Sequence, residues 1–225
     1  KDVRRYSRDG ITLTTFGFGM GNFNDTFMEQ LADNGDGNYA YIDDAEEAQE
    51  YFVDGLTEIL QVIAYDAKVQ VDFNPDVVAR YRLIGYENRD VADEDFREDS
   101  VDAGEINAGH SVTAIYAVQF KQDAEGRIAT VQLRWREPDS DRIKEINGNF
   151  NTWNLAQTFE ESDPHFKLAT IVTFFGEVLR DSPYTGYATL EGLVPYAYRI
   201  SGDIPYDQEV VELGSLIQRA SSISR

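Results

Sequence analysis

The chain has 225 residues, 42% of them hydrophobic, enough to bury a sizeable core in one large or two modest domains. Its 41 acidic against 20 basic side chains leave a formal charge of −21, which repels phosphate backbones and anionic lipid and argues against nucleic-acid and membrane-surface partners. There is no cysteine, so disulfides and thiolate chemistry are excluded, while cations, basic proteins and an extracytoplasmic setting fit the charge.

The longest continuous apolar run, "LATIVTFF" at 168–175, is too short to span a membrane. The chain opens on Lys1 rather than Met, with neither a signal peptide nor a lipid-attachment cysteine in view. It is therefore expected to begin inside a longer precursor.

In chain order, the first third alternates strand and helix. "GITLTTFGFG" from Gly10 is β-branched and aromatic, "NDTFMEQLADNG" puts Phe27, Met28, Leu31 and Ala32 on one helical face, and "GNYAYID" is a second short strand. Asp44 can cap the next helix, with Glu47 at the reciprocal position of a capping box. Ala48, Phe52, Leu56, Ile59, Leu60 and Ile63 then recur at helical spacing through Ala64. This is the β-α-β-α order of a parallel, doubly wound sheet.

After Tyr65 the period becomes two. Val69, Val71 and Phe73 share one face while Lys68, Gln70 and Asp72 share the other, and Pro75 ends the run. "YRLIGYENR" is expected to extend a hairpin with it. "HSVTAIYAVQF" and "IATVQLRWREP" align Val112, Ala114, Tyr116, Val118 and Phe120, and Ala129, Val131, Leu133 and Trp135, with the turn "KQDAEGR" between them. The middle third is expected to be half of an antiparallel sandwich.

"DSDRIKEINGNFNTWN" carries turn signals and reads as a connection. Asp163-Pro164 then starts a helix, "HFKLATIVTFFGEVLRDS", apolar nearly all round and expected to be well buried. "TLEGLVPYAYRI" predicts a shorter helix interrupted by Pro195. The last helix, "DQEVVELGSLIQRASS", carries Val210, Leu213, Ile217 and Ala220 on one stripe, with Asp207 as its cap.

The glycine run after the first strand invites comparison with a dinucleotide-binding fingerprint. Gly17 and Gly19 fit G-x-G-x-x-G, but the third glycine falls at Gly21 where Asn22 stands at the required position. Asp43 lies at a distance suited to a ribose hydroxyl. Against that reading, the chain turns antiparallel after only one more helix.

"FGFGMGN", "LADNGDGNYAYID" and "DAEEAQEYF" resemble the last third of a von Willebrand factor A domain. "VDFNPDVVARYRLIGYENR", "DEDFREDSVDAGEINAGHSVTAIYAV", "LRWREP" and "FGEVLRDSPYTGYATLEGLV" extend the resemblance, from about Gly10 to the C-terminus, to bacterial A-domain proteins of the YfbK type. The resemblance implies α/β plus β-rich architecture: a partial, Rossmann-like parallel sheet at 1–65, an antiparallel β-domain at 66–140, and a connection with C-terminal helices at 141–225. It also implies a metal-ion-dependent adhesion site in the intact domain, built from a D-x-S-x-S loop, a threonine and an aspartate. All three loops precede the strand expected to begin at Ile11, and "KDVRRYSRDG" reads as the end of the helix before it. No catalytic, cofactor or metal residue is therefore assigned here, and a divalent ion, Mg or Ca, is expected only in the intact domain.

Other candidates have simpler accounts. Asp90–Glu105, "DVADEDFREDSVDAGE", could gather carboxylates on a hard cation, yet acidic runs are commonly solvated loops. "DNGDGN" at Asp33–Asn38 lacks the acidic spacing of a calcium loop and reads as a helix-to-strand turn. His110 reads as a turn residue and His165 as part of a first helical turn. Neither a G-x-S-x-G elbow nor a phosphate-binding G-K-[ST] loop is present. Trp135, Tyr184, Tyr187, Tyr196 and Tyr198 could line a groove, although packing of helices on a sheet is the simpler expectation.

The resemblance implies a non-enzymatic protein-interaction or adhesion function with a protein ligand, outside the cytoplasm. The β and helical parts would serve as a support or lever coupled through the helix Ala45 to Ala64. The alternatives are an assembly or maturation factor that recruits an ATPase or another partner complex, and a nucleotide-binding enzyme at the Gly17–Gly21 turn.

Overall fold

The computed structural model describes residues 2–8, 11–19, 24–35, 37–55, 61–85, 95–98, 103–109, 111–140 and 142–223. Two compact units emerge, one from residues 1–73, 91–112 and 129–149 and the other from 74–90, 113–128 and 150–225. Each draws on separated stretches of chain.

The first unit begins with α1 (Asp2–Arg8), β1 (Thr15–Phe18), α2 (Asp25–Asp33), β2 (Tyr39–Ile42) and α3 (Ala45–Gln49). The two strands are parallel, with Thr15 opposite Tyr39 and Phe18 opposite Ile42. Asn24 caps α2 by accepting the Phe27 amide at 3.0 Å. The Thr15 hydroxyl donates to the Met28 carbonyl at 3.0 Å, tying α2 to the sheet. On the predicted face of α2, Ala32 is fully buried whereas Phe27 remains exposed.

Asp44 caps α3 by accepting the amides of Glu46 and Glu47, both at 2.9 Å. The Glu47 carboxylate reaches back to the Asp43 amide at 2.9 Å, one residue earlier than in a standard capping box. Asp44→Ala should cost about 1 kcal/mol and lower Tm by about 2–4 °C in a chain this size. An unchanged melting curve would mean that the Glu47 bond suffices to start the helix.

The helix expected through Ala64 is shorter. α3 passes into a π turn at Glu50–Asp54, whose Phe52 ring lies 4.7 Å from that of Phe16 on β1. Leu56, Ile59 and Leu60 fall outside the described residues. By Val62 the chain is already β3 (Val62–Phe73). Val62 and Ala64 pair with Asn107 and Ile106 of β5 (Gly104–Asn107), so ladder bonds to a distant strand override the helical spacing of Ile63.

β3 also pairs antiparallel with β7 (Arg127–Arg136), which neighbours β8 (Ile143–Asn151), giving the order β5-β3-β7-β8. The segment predicted as a connection from Asp139 thus contains a nine-residue strand. Its alternation is too weak to see in sequence because every residue from Ile143 to Phe150 is exposed. A register shift between Tyr65 and Lys68 places Asp66 at φ 50°, and its carboxylate holds Arg136 across the sheet at 2.7 Å. This is the local geometry of a β-bulge.

The two faces of this sheet reverse the expected burial. Lys68 is 4% exposed while Val69 is 62% exposed. Lys68 Nζ donates to the carbonyls of Glu98 at 2.7 Å and Asp95 at 3.3 Å. Arg97, from the same short segment, bonds Glu145 at 2.7 Å and Gln132 at 3.2 Å. Hydrogen bonds to that segment cover the polar face.

The second unit contains β4 (Val78–Ile84) paired antiparallel with β6 (Ile115–Phe120), followed by α4 (Pro164–Leu179), α5 (Leu190–Asp203) and α6 (Gln208–Ile223). The hairpin expected between β3 and β4 is therefore absent: β4 takes β6 instead, and the turn after β6 joins strands of different sheets. Asp163 caps α4 through the His165 amide at 2.8 Å, and Asp207 caps α6 through the Val210 amide at 3.2 Å.

Ile171, Leu193, Ala197, Ile200, Val210 and Ile217 form the helical core. α4 is less buried than its composition predicts, with only Ile171 and Glu177 fully enclosed. α5 continues through Pro195 without a break. The proline removes one backbone donor, and burial of Leu193 and Ile200 at about 1.5–3 kcal/mol each offsets that loss. The fold class is α/β plus β-rich, with a small parallel sheet, antiparallel sheets and C-terminal helices.

Candidate functional site

The C-terminal rim of β1 and β2 is the first candidate. Gly19 leaves the sheet at φ 76°, in the left-handed region that glycine enters without a Cβ penalty. The Tyr41 hydroxyl donates to its carbonyl at 3.2 Å. Gly21 and Asn22 lie outside the described residues. α2 opens only at Asp25, whereas a phosphate-binding turn places the glycine run at the helix N-terminus itself.

The start of α2 is already occupied. The Asn24 side chain takes the Phe27 amide, and Asp25 puts a carboxylate in the first turn. The Tyr39 hydroxyl donates to Asp25. Losing that proton would set two anions together, so the bond pushes the Tyr39 phenol up to about 12. Asp43 stands exposed just past β2 with its amide held by Glu47. Asp25, Asp43 and Asp44 make this rim acidic.

The Asp33–Asn38 turn does what its glycines require. Gly35 and Gly37 amides both donate to the Ala32 carbonyl, while Leu13 and Thr15 amides donate to the Gly35 and Asn38 carbonyls. The lead into β1 thereby lies directly against the turn, and Asp36 lies outside the described residues. Within Asp90–Glu105 only 95–98 and 103–105 are described. There the Asp95 and Glu98 carbonyls hold Lys68. Among the described residues no group of three or more His, Cys, Asp or Glu side chains could hold a metal ion. His110 is outside them, and His165 is exposed in the first turn of α4, its Nδ1 3.4 Å from Asp163.

A second constellation, not anticipated in sequence, lies between β4 and α4. The Glu177 side chain is 3% exposed and bound by Arg82 at 3.2 Å, by Arg180, and by the Ser182 hydroxyl at 2.9 Å. The Arg82 guanidinium lies 4.1 Å from the centre of the Tyr184 ring. Burial works against the charged form, but the Ser182, Arg180 and Arg82 bonds outweigh it and hold the carboxyl below the usual carboxylate range. A lone acid inside the apolar run "TFFGEVL" was the available signal, since a buried acid requires paired cations. A carboxylate saturated in this way is a structural tie between strand and helix.

A cleft of about 200 Å³ in the helical unit is lined by Phe159, Glu160, Lys167, Ile171, Tyr196 and Arg199, among others. Lys167 spans it to Asp203 at 2.9 Å. Of the predicted aromatic set, only Tyr196 lines this cleft. Tyr184 stacks under Arg82, Tyr198 bonds Gln218, and Tyr187 is fully exposed. The expectation that these tyrosines pack between helices and sheet is therefore corrected: all four are exposed, Tyr184 and Tyr187 ahead of α5 and Tyr196 and Tyr198 off the stripe it buries, Leu193, Ala197 and Ile200. Trp135 is half-buried on β7.

The family profile described as the C-terminal part of the uncharacterized protein YfbK matches residues 58–128 and 119–223. Uncharacterized protein YfbK of Escherichia coli (strain K12) is 30% identical over 244 aligned residues, covering 99% of this chain and 42% of that protein. The chain thus spans less than half the length of that relative. Among solved structures, the ArnB paralog VWA2 from Sulfolobus acidocaldarius aligns over 93% of this chain and 54% of its own, at 17% identity and a TM-score of 0.45. With the family pattern present across both compact units, the chain belongs to the YfbK C-terminal family.

Proposed function

We propose that this chain is the non-enzymatic C-terminal portion of a protein-binding A-domain protein, with a divalent-metal site formed by polypeptide outside these residues. The observation that carries the reading is the parallel pair. β1 has β2 as its only partner among the described residues, and a two-stranded sheet is marginal without further strands. The rim where a ligand would approach carries Asp25, Asp43 and Asp44 and a helix start already capped by Asn24. That combination favours a fold element over a phosphate cradle.

The charge of −21 favours a basic protein ligand over nucleic acid or anionic lipid. The family resemblance favours an extracytoplasmic site and the acidic composition permits one; no helix among the described residues is long and apolar enough to cross a membrane. The test uses the full-length protein. Retention of a protein ligand in Mg2+ or Ca2+, abolished by EDTA and restored by adding the ion back, is the expected result. A rise in Tm with NAD or ATP that disappears in Gly19→Val would replace this reading with a nucleotide-binding one.

A further inference from the structure

Val69 and Val71 of β3 stand opposite Leu133 and Val131 of β7. The Glu137 amide bonds the Arg142 carbonyl, and Thr130 bonds Asn149. Both contacts fix the same antiparallel register, which sets Ile146 of β8 opposite Leu133. Five branched aliphatic side chains therefore form one stripe across three adjacent strands. Val69, Val131 and Ile146 keep 62, 40 and 56% exposure. The opposite face holds Lys68, Gln132 and Glu145, all three bonded by the segment that carries Arg97.

A sheet with aliphatics on one face and polar groups on the other normally buries the aliphatic face. Contiguous apolar surface left open marks an interaction site. A second copy of the chain is disfavoured as its occupant, because each copy carries −21 and the charges repel. Branched side chains at strand spacing instead suit another sheet packed face to face. The relative YfbK is more than twice as long as this chain, which spans 42% of it. A protein of that length has tethered polypeptide available at high effective concentration.

We propose that the Val69–Val131–Ile146 stripe is the inner face of a β-sandwich whose second sheet comes from the same polypeptide outside residues 1–225. The inference rests on a full-length protein comparable in length to that relative, and not on metal-dependent ligand binding, so the two readings can fail separately.

Because residues 1–225 contain no cysteine, Val69→Cys, Val131→Cys and Ile146→Cys can be introduced singly into the full-length protein. Their reaction with a thiol reagent is followed by peptide mass spectrometry, against Glu125→Cys in the exposed turn after β6 as reference. Modification at least about 100-fold slower than the reference is expected at all three positions. Equal rates would overturn the proposal. A photo-crosslinking residue at Gly148, two residues along β8 from Ile146 and on the same face, where an added Cβ meets nothing within 4 Å, identifies the occupant. The expected product is an intramolecular crosslink to a peptide outside 1–225. A crosslink between two copies, or to another element within 1–225, overturns the proposal even if the cysteines are protected.

Discussion

Glu177→Ala should destabilise the helical unit by about 3 kcal/mol in urea unfolding, the low end of the range for breaking a buried ion pair. The low end applies because the stranded partners, Arg82 and Arg180, are 27% and 46% exposed and can rehydrate. Glu177→Gln keeps the volume and part of the hydrogen bonding, so its loss should be smaller. A Glu177→Ala variant within about 0.5 kcal/mol of the parent, the range of an ordinary surface change, would show that the tie is dispensable.

The same carboxyl has a pH signature. Its folded-state pKa is depressed, so the unfolded chain binds the proton more readily. Its stabilising contribution is complete above the ordinary Glu value of about 4.3 and declines as pH falls through the lower folded-state value. Stability of Glu177→Gln should therefore fall less steeply than the parent's on acidification below about pH 4.3. Parallel stability–pH curves would contradict the shift.

Gly37→Ala is the second large effect. A Cβ there would press into the Leu13 carbonyl group and the Thr14 amide, which are backbone atoms held by the Leu13–Gly35 and Thr15–Asn38 hydrogen bonds. Because neither can move without breaking the β1–β2 register, the cost should reach about 3 kcal/mol, the upper end for overpacking. Gly35→Ala meets Leu13 Cβ at 2.6 Å, an atom fixed to the same backbone, and Val3 Cγ1 at 3.0 Å, so its loss should come close behind that of Gly37. Gly19→Ala meets nothing within 4 Å and suffers only from its φ of 76°, about 1–2 kcal/mol. The order of Tm loss should therefore place Gly37 first. Equal losses at Gly37 and Gly19 would show that the close approach relaxes.

What could be read from sequence alone lies within about four residues of its own signal. The Asp44 and Asp207 caps and the helix start at Asp163-Pro164 formed as expected because each rests on a side chain and amides two or three residues on. The turn at Asp33–Asn38 and the parallel β-α-β order likewise follow from local chemistry and short connections. The candidate rim was legible to the same degree: the Gly19 bend and the carboxylates were visible, and the Asn24 cap that occupies the helix start was not singled out.

Tertiary structure alone decided everything that pairs distant residues. A period of two reveals that Val69 and Lys68 point to opposite faces, but which face is covered depends on the segment carrying Arg97. The partner of β4, the early end of the α3 helix and the Arg82 cation at Glu177 all depend on ladders and an ion pair between segments tens of residues apart. Such contacts gain their free energy only when remote segments meet, so periodicity and propensity within one segment carry no record of them.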